Sequence, residues 1–250
     1  MNDPTEPLYA DPAVAQFYDF RGAARPDLAF CRKLAGNSAS VLDLGCGTGE
    51  LAALLSEGRR VVGVDPAAAM LDIARTRPEG KIVDWIEGDA RTLRLDERFD
   101  LIAMTGHTFQ VFLTEADQRA VIETIATHLK PGGHFIFDSR NPDFPGEKTR
   151  TAKATLRRFT HPGHGQVEAW NESTFDDATQ ILSYRNSYRV LKSGEVHTAT
   201  ARIRYTPKNV IAELLHESGL QVERWSGDWT GAPFEPASKE IIPLGRAVPQ

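Results

Sequence analysis

The chain contains little cysteine. Cys31 and Cys46 are the only two among its 250 residues. One pair cannot build the disulfide framework of a small secreted domain, and so low a count is typical of proteins in a reducing compartment. We therefore expect a cytoplasmic protein that is held together by a hydrophobic core.

Long hydrophobic runs, a leader sequence and excess positive charge are also missing. No apolar stretch approaches the length that spans a bilayer, and "MNDPTEPLYADPAV" lacks the basic and apolar regions of a signal peptide. The net charge is −5, whereas a duplex nucleic-acid binder needs a basic surface. Histidine, aspartate and glutamate never occur with metal-ligand spacing. We expect no membrane partner, no nucleic-acid partner and no metal.

The first part of the chain alternates strand-like and helix-like segments. The expected strands are "SVLDLG" (40–45), "RVVGVD" (60–65), "KIVDWIEGD" (81–89), "RFDLIAM" (98–104) and "HFIFDSR" (134–140), with helices at 48–58, 66–77 and from 114. Two short helices, at 11–20 and 25–36, precede the first strand. Strands that alternate with helices predict a parallel sheet covered on both faces.

The period changes to two between about 150 and 206. In "ILSYRNSYRVL", apolar residues such as Leu182 and Val190 alternate with Arg185 and Arg189. This alternation predicts an antiparallel insert of three or four strands. A helix (206–219) and two final strands follow, so the insert lies within the α/β fold, after its fifth strand.

The segment "VLDLGCGTGE" (41–50) places Gly45, Gly47 and Gly49 between the first strand and a helix. This G-x-G-x-G pattern is neither the dinucleotide fingerprint nor a phosphate-binding P-loop. Asp65 ends the second strand, where its carboxylate can bind both hydroxyls of a ribose. Asp89 ends the third, where it can accept from the adenine amine. An adenosine ligand without phosphates indicates S-adenosylmethionine.

These motifs, in this order, resemble the class I S-adenosylmethionine-dependent methyltransferases. "VLDLGCGTG", "VVGVDPAAAMLDIAR", "EGDARTL" and "LKPGGHFIFD" are similar to successive motifs of that family. The resemblance implies a Rossmann-like seven-stranded sheet whose last strand is antiparallel. It also implies S-adenosylmethionine as cofactor and S-adenosylhomocysteine as product. The residues and the resemblance together predict the cofactor-binding set Arg25, Asp43, Gly45, Cys46, Gly47, Gly49, Asp65, Pro66, Met70, Asp89, Ala90 and Met104.

The acceptor side is predicted around His107, which follows the fourth strand. "MTGHTF" resembles the stretch that holds a histidine base in the deoxyamino-sugar N-methyltransferases, which also carry an antiparallel insert after the fifth strand. His107 is therefore a candidate base, or else it orients a loop or stacks on the substrate. Tyr18, in "AQFYDF", resembles part of an N-terminal helix that closes over the cofactor, and is predicted to contact cofactor or substrate. The candidate substrate residues are Phe109, Gln110, Trp170, Tyr184, Tyr188 and Tyr205.

The predicted organisation has three parts. Residues 1–39 close over the site, 40–149 and 206–250 form the cofactor-binding core, and 150–205 form a roof over the acceptor. The roof is rich in arginine and lysine. Charges on the polar face of a hairpin normally lie in water, and an anionic acceptor is the alternative. The predicted function is methyl transfer from S-adenosylmethionine to nitrogen or oxygen of a small molecule, by a monomer or homodimer. The alternatives are a cofactor-binding protein without transferase activity and a nicotinamide-dependent oxidoreductase.

Overall fold

The computed structural model describes residues 6–248 except 21, 23 and 147. Residues 1–5 of the predicted N-terminal part lie outside this range. The strands are β1 (Ser40–Leu44), β2 (Arg60–Asp65), β3 (Asp84–Glu87), β4 (Phe99–Met104), β5 (Leu129–Phe137), β6 (Ser139–Arg140), β7 (Arg157–His161), β8 (Gly165–Asp176), β9 (Ile181–Val190), β10 (Val196–Arg204), β11 (Leu220–Ser226) and β12 (Glu240–Ala247). The α-helices are α1 (Pro7–Ala10), α2 (Pro12–Ala15), α3 (Pro26–Ala35), α4 (Glu50–Leu55), α5 (Ala68–Thr76), α6 (Glu115–His128), α7 (Ala152–Thr155) and α8 (Lys208–Glu217).

The main sheet has the strand order β11-β12-β5-β4-β1-β2-β3. Strands β1 to β5 pair in parallel, whereas β12 is antiparallel to both β11 and β5. The predicted seven-stranded sheet with an antiparallel last strand is therefore confirmed. Strand order reverses at β1 and β4, and ligands of open α/β sheets bind beside the strand ends at such a point.

Two hydrophobic clusters cover the faces of this sheet. Leu51 and Leu55 of α4 pack with Val41 and Val61 on one face, and α6 and α8 cover the other. All five residues of β1 are buried. Burial on both faces explains why β1 and β2 are nearly continuous apolar runs.

Several elements are shorter than predicted. Helix α4 begins at Glu50 because Gly49 has a left-handed backbone, and α5 begins at Ala68, after Pro66. A 3₁₀ turn (Glu79–Ile82) replaces the first part of the third predicted strand. The fifth strand ends at Phe137 and pairing resumes in β6, so Asp138 interrupts it.

The insert is a four-stranded antiparallel sheet, β7 to β10, that follows β5 and β6. Its alternation is as predicted, since Leu182 and Val190 are buried while Arg185 and Arg189 are exposed. The N-terminal segment packs onto it through Phe17, whose side chain is fully buried against Val167 and Tyr188. Throughout the described ranges, each helix is too short or too polar to cross a membrane.

Candidate active site

The glycine loop lies between β1 and α4, at the carboxyl end of β1. Gly45, Gly47 and Gly49 have φ values of +72°, +54° and +76°, which glycine adopts without strain. A Cβ atom at Gly45 would collide with the Thr108 side chain, and one at Gly49 would collide with the ring of Trp85. A Cβ atom at Gly47 would have one described neighbour within 4 Å, the ring of Tyr18 at 3.9 Å. Gly47 therefore presents bare backbone to open space, whereas Gly45 and Gly49 leave room for the side chains of Thr108 and Trp85.

A cavity at the carboxyl ends of β1, β2 and β3, called here the strand-end cavity, contains most of the predicted cofactor residues. Its wall includes Gly45, Gly47, Asp65, Pro66, Met70, Asp89 and Ala90, together with Tyr18 and His107. Asp65 is 8% exposed, and its carboxylate accepts from the Gly47 N–H at 2.8 Å and the Ala67 N–H at 2.9 Å. Burial raises the pKa of Asp65. Its carboxylate thus fixes the glycine loop from the neighbouring strand.

Asp89 is held by a residue that the sequence did not single out. The Arg91 guanidinium donates to Asp89 at 3.0 Å through Nε and at 2.7 Å through Nη2. It also donates to Asp117 at 2.9 Å. Arg91 therefore fixes the orientation of the Asp89 carboxylate in the cavity wall.

Five predicted cofactor residues do not line this cavity within the described part of the chain: Arg25, Asp43, Cys46, Gly49 and Met104. Arg25 forms ion pairs with Asp27 at 2.7 Å and Glu50 at 2.6 Å, so these carboxylates already hold its guanidinium. Met104 is fully buried in the core below.

Asp43 lies beneath the glycine loop. It is 2% exposed, and its carboxylate accepts from the Ala52 N–H at 3.1 Å. It thereby supplies the capping acceptor that Gly49 cannot offer to the first turn of α4. Burial raises its pKa to about 7, although the charge of Arg25 opposes this shift. A cation above the loop would stabilise the charged form of the Asp43 carboxyl group.

A second cavity, called here the insert cavity, has a volume of about 460 Å³ and lies beneath the insert. All five tyrosines of the chain line it: Tyr9, Tyr18, Tyr184, Tyr188 and Tyr205. The hydroxyls of Tyr9 and Tyr184 are 2.9 Å apart. Arg140, Lys148, Arg150 and Arg157 also belong to its wall. This cavity has the size of a small-molecule site and mixes aromatic with polar groups, as such sites do.

Tyr9, Tyr18, Gly106 and His107 belong to the walls of both cavities. His107 has a left-handed backbone with φ +67°, which is uncommon for a residue with a side chain. The backbone N–H of His107 donates to Asp138 Oδ1 at 2.9 Å. The ring Nε2 of His107 lies 2.9 Å from Glu240 Oε2. Two carboxylates therefore hold His107 at the boundary between the two cavities.

Both of these carboxyl groups are buried. Asp138 is 1% exposed, and burial raises its pKa while the charge of His107 opposes this. Burial raises the pKa of Glu240 to about 7. One ligand-type atom from each of His107, Asp138 and Glu240 lies within 4.8 Å of the others. Sequence spacing could not reveal this group, because its members come from three distant segments, and the expectation of no metal stays a prediction.

Three predicted substrate residues differ from expectation. Phe109 is fully buried and stacks on Phe137 with ring centroids 4.7 Å apart, so it belongs to the core. Gln110 is also buried, and its side-chain oxygen accepts from the Arg140 guanidinium at 3.0 Å. Trp170 borders the insert cavity, but its ring lies 5.2 Å from the guanidinium of Arg189 on the outward face.

Sequence reasoning missed Asp138, Glu240 and the cations of the insert cavity. Asp138 carried one local signal, since "HFIFD" ends a hydrophobic strand in an acid as β2 does. Glu240 carried none. It is the first residue of β12, and it reaches His107 because β12 pairs antiparallel with β6.

Comparisons with known proteins agree with this geometry. Residues 41–133 match a family model described as a methyltransferase domain. The cypemycin N-terminal methyltransferase of a Streptomyces species is 32% identical over 208 residues, which cover 81% of each chain.

Solved structures extend the similarity over the whole chain. The CcbJ methyltransferase of Streptomyces caelestis superposes with a TM-score of 0.79 at 25% identity, covering 99% of this chain and 100% of that one. CalS10 of Micromonospora echinaspora, an amino pentose methyltransferase solved with S-adenosylmethionine bound, has a TM-score of 0.70 at 22% identity, covering 92% and 94%. Fold, strand-end cavity and relatives agree, and the chain belongs to the class I S-adenosylmethionine-dependent methyltransferases that act on small molecules.

Proposed function

We propose that this enzyme methylates an amino nitrogen of its small-molecule acceptor, and that His107 accepts the proton released. The position of His107 between the two cavities carries this proposal. Membership of the methyltransferase family replaces the nicotinamide-dependent alternative. We also propose a cytoplasmic location, which the unpaired cysteines Cys31 and Cys46 support.

The residues of the strand-end cavity fit S-adenosylmethionine. Bare backbone at Gly47 leaves room for its methionine portion, and Asp43 beneath the loop would offer negative charge to its amino group. The Asp65 carboxylate is placed to bind the ribose hydroxyls. Asp89 and Ala90 would contact the adenine, and Met70 would pack on it. These assignments rest on the position of each residue in the cavity wall, or in the case of Asp43 beneath it, and on the family pattern.

When bound, S-adenosylmethionine supplies an electrophilic methyl carbon, which a nitrogen lone pair takes as the carbon–sulfur bond breaks and its electrons stay on sulfur. The nitrogen must also lose a proton, and histidine titrates in the right range to accept it. We assign the tautomer in which the Nε2–H of His107 donates to Glu240 Oε2, 2.9 Å away, so that the lone pair on Nδ1 accepts the proton. The carboxylates of Glu240 and Asp138 stabilise the imidazolium that forms.

The walls of both cavities would align the reactants. Tyr9 and Tyr18 belong to both walls, so the N-terminal segment covers the point of transfer. Alignment and exclusion of water are the main requirements of a displacement at carbon. The protein therefore needs no further chemical group for the transfer itself.

A methyl-transfer screen tests the proposal. Labelled S-adenosylmethionine and fractionated small-molecule extracts are incubated with the protein, and labelled products are identified by mass spectrometry. We expect a product methylated at nitrogen. A product methylated at oxygen or carbon would contradict the choice of acceptor atom.

His107→Gln and Glu240→Gln test the proton path. We expect His107→Gln to lower kcat about 100-fold, with binding of S-adenosylhomocysteine by calorimetry nearly unchanged. Glu240→Gln should move the pH dependence of kcat. Asp72→Asn, on the exposed side of α5, is the control and should behave as the wild type. If His107→Gln keeps full activity, the base assignment is wrong.

The same assay separates a proton path from a metal site. EDTA should leave the activity unchanged if His107, Asp138 and Glu240 handle a proton. Loss of activity with EDTA and its recovery with Mg²⁺ or Mn²⁺ would instead identify the three side chains as metal ligands.

A further inference from the structure

The positive charges on the two faces of the insert sheet differ in whether they are paired with carboxylates. On the outward face, Arg158 and Arg189 pair with Glu168 at 2.7 and 3.3 Å. Arg185 pairs with Glu172 at 3.0 Å. These glutamates neutralise arginines that face water, so the outward face needs no ligand.

The insert cavity lacks such neutralisation. Its described wall contains no aspartate and no glutamate. Within the described chain, Arg140, Lys148 and Arg150 have no carboxylate oxygen within 4.0 Å. Arg140 donates to the neutral Gln110, and Lys148 donates to the Pro142 carbonyl at 2.7 Å. Arg140 also stands opposite Glu240 in the pairing of β6 with β12, and its charge acts on that buried carboxyl group. Neutral partners position Lys148 and Arg150 but do not balance their charge.

The three cations converge on one end of the cavity, around Tyr205. Lys148 Nζ lies 5.5 Å from the centroid of the Tyr205 ring and 4.2 Å from that of Phe175. The charges that act on the Tyr205 hydroxyl are those of Arg140, Arg150 and, with opposite sign, Glu240. Like charges this close repel each other in a partly dry site, and an anion placed among them removes this cost.

Hydrogen bonds to neighbouring elements hold Arg140 and Arg150 in position. Gln110, buried below the cavity, accepts from both the backbone and the side chain of Arg140. The backbone of Arg150 pairs with Ser173 of β8, another residue of the cavity wall. Arg140 and Arg150 therefore belong to ordered backbone on two sides of the cavity, as a preformed binding site requires.

We propose that the acceptor carries an anionic group, a carboxylate or a phosphate, which Arg140, Lys148 and Arg150 bind beneath the insert while the nucleophilic nitrogen meets His107. This rests on the proposed function, which assigns the insert cavity to the acceptor. Guanidinium groups bind both kinds of anion through paired hydrogen bonds, so the shared chemistry is a compact oxyanion.

Citrate and pyrophosphate are suitable probes, since neither can be methylated at nitrogen. Each is titrated by calorimetry, at low ionic strength and near neutral pH, into protein saturated with S-adenosylhomocysteine. We expect at least one to bind, and added salt to weaken it. Preference for citrate identifies a carboxylate site, and preference for pyrophosphate identifies a phosphate site.

Variants locate the binding. Arg150→Gln and Lys148→Gln should each weaken the anion about tenfold. Arg158→Gln, which removes an arginine from the outward face of the same sheet, should change it less than twofold. Unchanged affinity for S-adenosylhomocysteine shows that each variant is folded. If neither anion binds, or if Arg158→Gln weakens binding equally, the proposal is overturned.

The two proposals can fail separately. Anion binding that depends on Lys148 and Arg150, without methylation of any amine, would contradict the nitrogen acceptor and leave the anion site standing. Efficient methylation of a neutral amine, without anion binding, would do the opposite.

Discussion

Burial of Asp43 and the charge of its carboxylate have opposite effects on stability. Asp43 is buried beneath the glycine loop, where its charged form is poorly solvated, and burial raises its pKa to about 7. The folded state therefore holds a proton on Asp43 between about pH 4 and pH 7, where the unfolded chain has lost it. The free energy of unfolding must fall as pH rises through this window. A carboxylate kept at such a cost is typical of a binding site.

Asp43→Asn should separate these effects. The amide retains an acceptor for the Ala52 N–H but carries no charge. We expect the variant to be more stable than the wild type at pH 8, by on the order of 4 kcal/mol at most, and about equally stable at pH 4. Urea unfolding at the two pH values measures this difference. Calorimetry should show at least about tenfold weaker binding of S-adenosylhomocysteine, because a charged hydrogen-bond partner is lost. A stability difference that does not vary with pH would contradict the shifted pKa.

Glycine serves different purposes at positions 45, 47 and 49, which the sequence pattern alone does not distinguish. All three have positive φ, yet Gly49 faces the ring of Trp85 and the Cβ of Ala74 rather than the strand-end cavity. Its role is to let α4, α5 and β3 pack closely.

Gly49→Ala and Gly58→Ala form a matched pair. Both residues have positive φ, at +76° and +71°, but a Cβ at Gly58 meets nothing within 4 Å. Gly58→Ala should cost only the backbone strain, about 1–2 kcal/mol. Gly49→Ala adds overpacking against Trp85 and should cost about 1–3 kcal/mol more. Equilibrium urea unfolding measures both. Equal losses would show that the Trp85 contact carries no energy.

The elements of the cofactor half could be predicted because each is a contiguous segment. Hydrophobic strands that end in Asp65 and Asp89 are visible in the sequence, and parallel strands bring their carboxyl ends to one edge. The acceptor half could not be predicted in this way. Glu240 meets His107 only because β12 turns back antiparallel beside β6, and no local pattern encodes that meeting.

At the scale of the whole molecule, the N-terminal segment joins the insert to the core. Phe17 stacks on Tyr188 with ring centroids 4.8 Å apart, and the rings of His161, His164 and His197 lie within 5.2 to 5.6 Å of it. Burial lowers the pKa of His161, and the nearby His164 adds to the effect. The segment that covers both cavities is thus anchored beside His161.

Acid should loosen this anchor. Because the pKa of His161 is lower in the folded state, its contribution to stability is complete above its unfolded pKa of about 6.5 and is lost as pH falls below it. We expect hydrogen exchange in residues 11–18 to accelerate between pH 7 and pH 5.5. His161→Phe should abolish most of this change, whereas the exposed His216→Phe should not. Exchange that is independent of pH would contradict the assignment.

The two-residue alternation predicts the insert sheet, but it does not predict which residues line the insert cavity. Alternation fixes which face of β9 carries Tyr184 and Tyr188. It does not show that Tyr9 and Tyr18 reach the same space from the other end of the chain. Nor does it show that Arg140 of β6 lines the same cavity. Such long-range meetings depend on how the layers dock.

Because every tyrosine of the chain lines the insert cavity, spectroscopy of one residue type reports on one site. Uniform incorporation of 3-fluorotyrosine would give five fluorine resonances, all of them from that cavity. Binding at the cofactor end should move chiefly the signals of Tyr9 and Tyr18, which belong to both walls. An acceptor should move those of Tyr184, Tyr188 and Tyr205. A small collection of unlabelled compounds could then be screened by one-dimensional spectra, and a compound would reveal where it lies before any product is known.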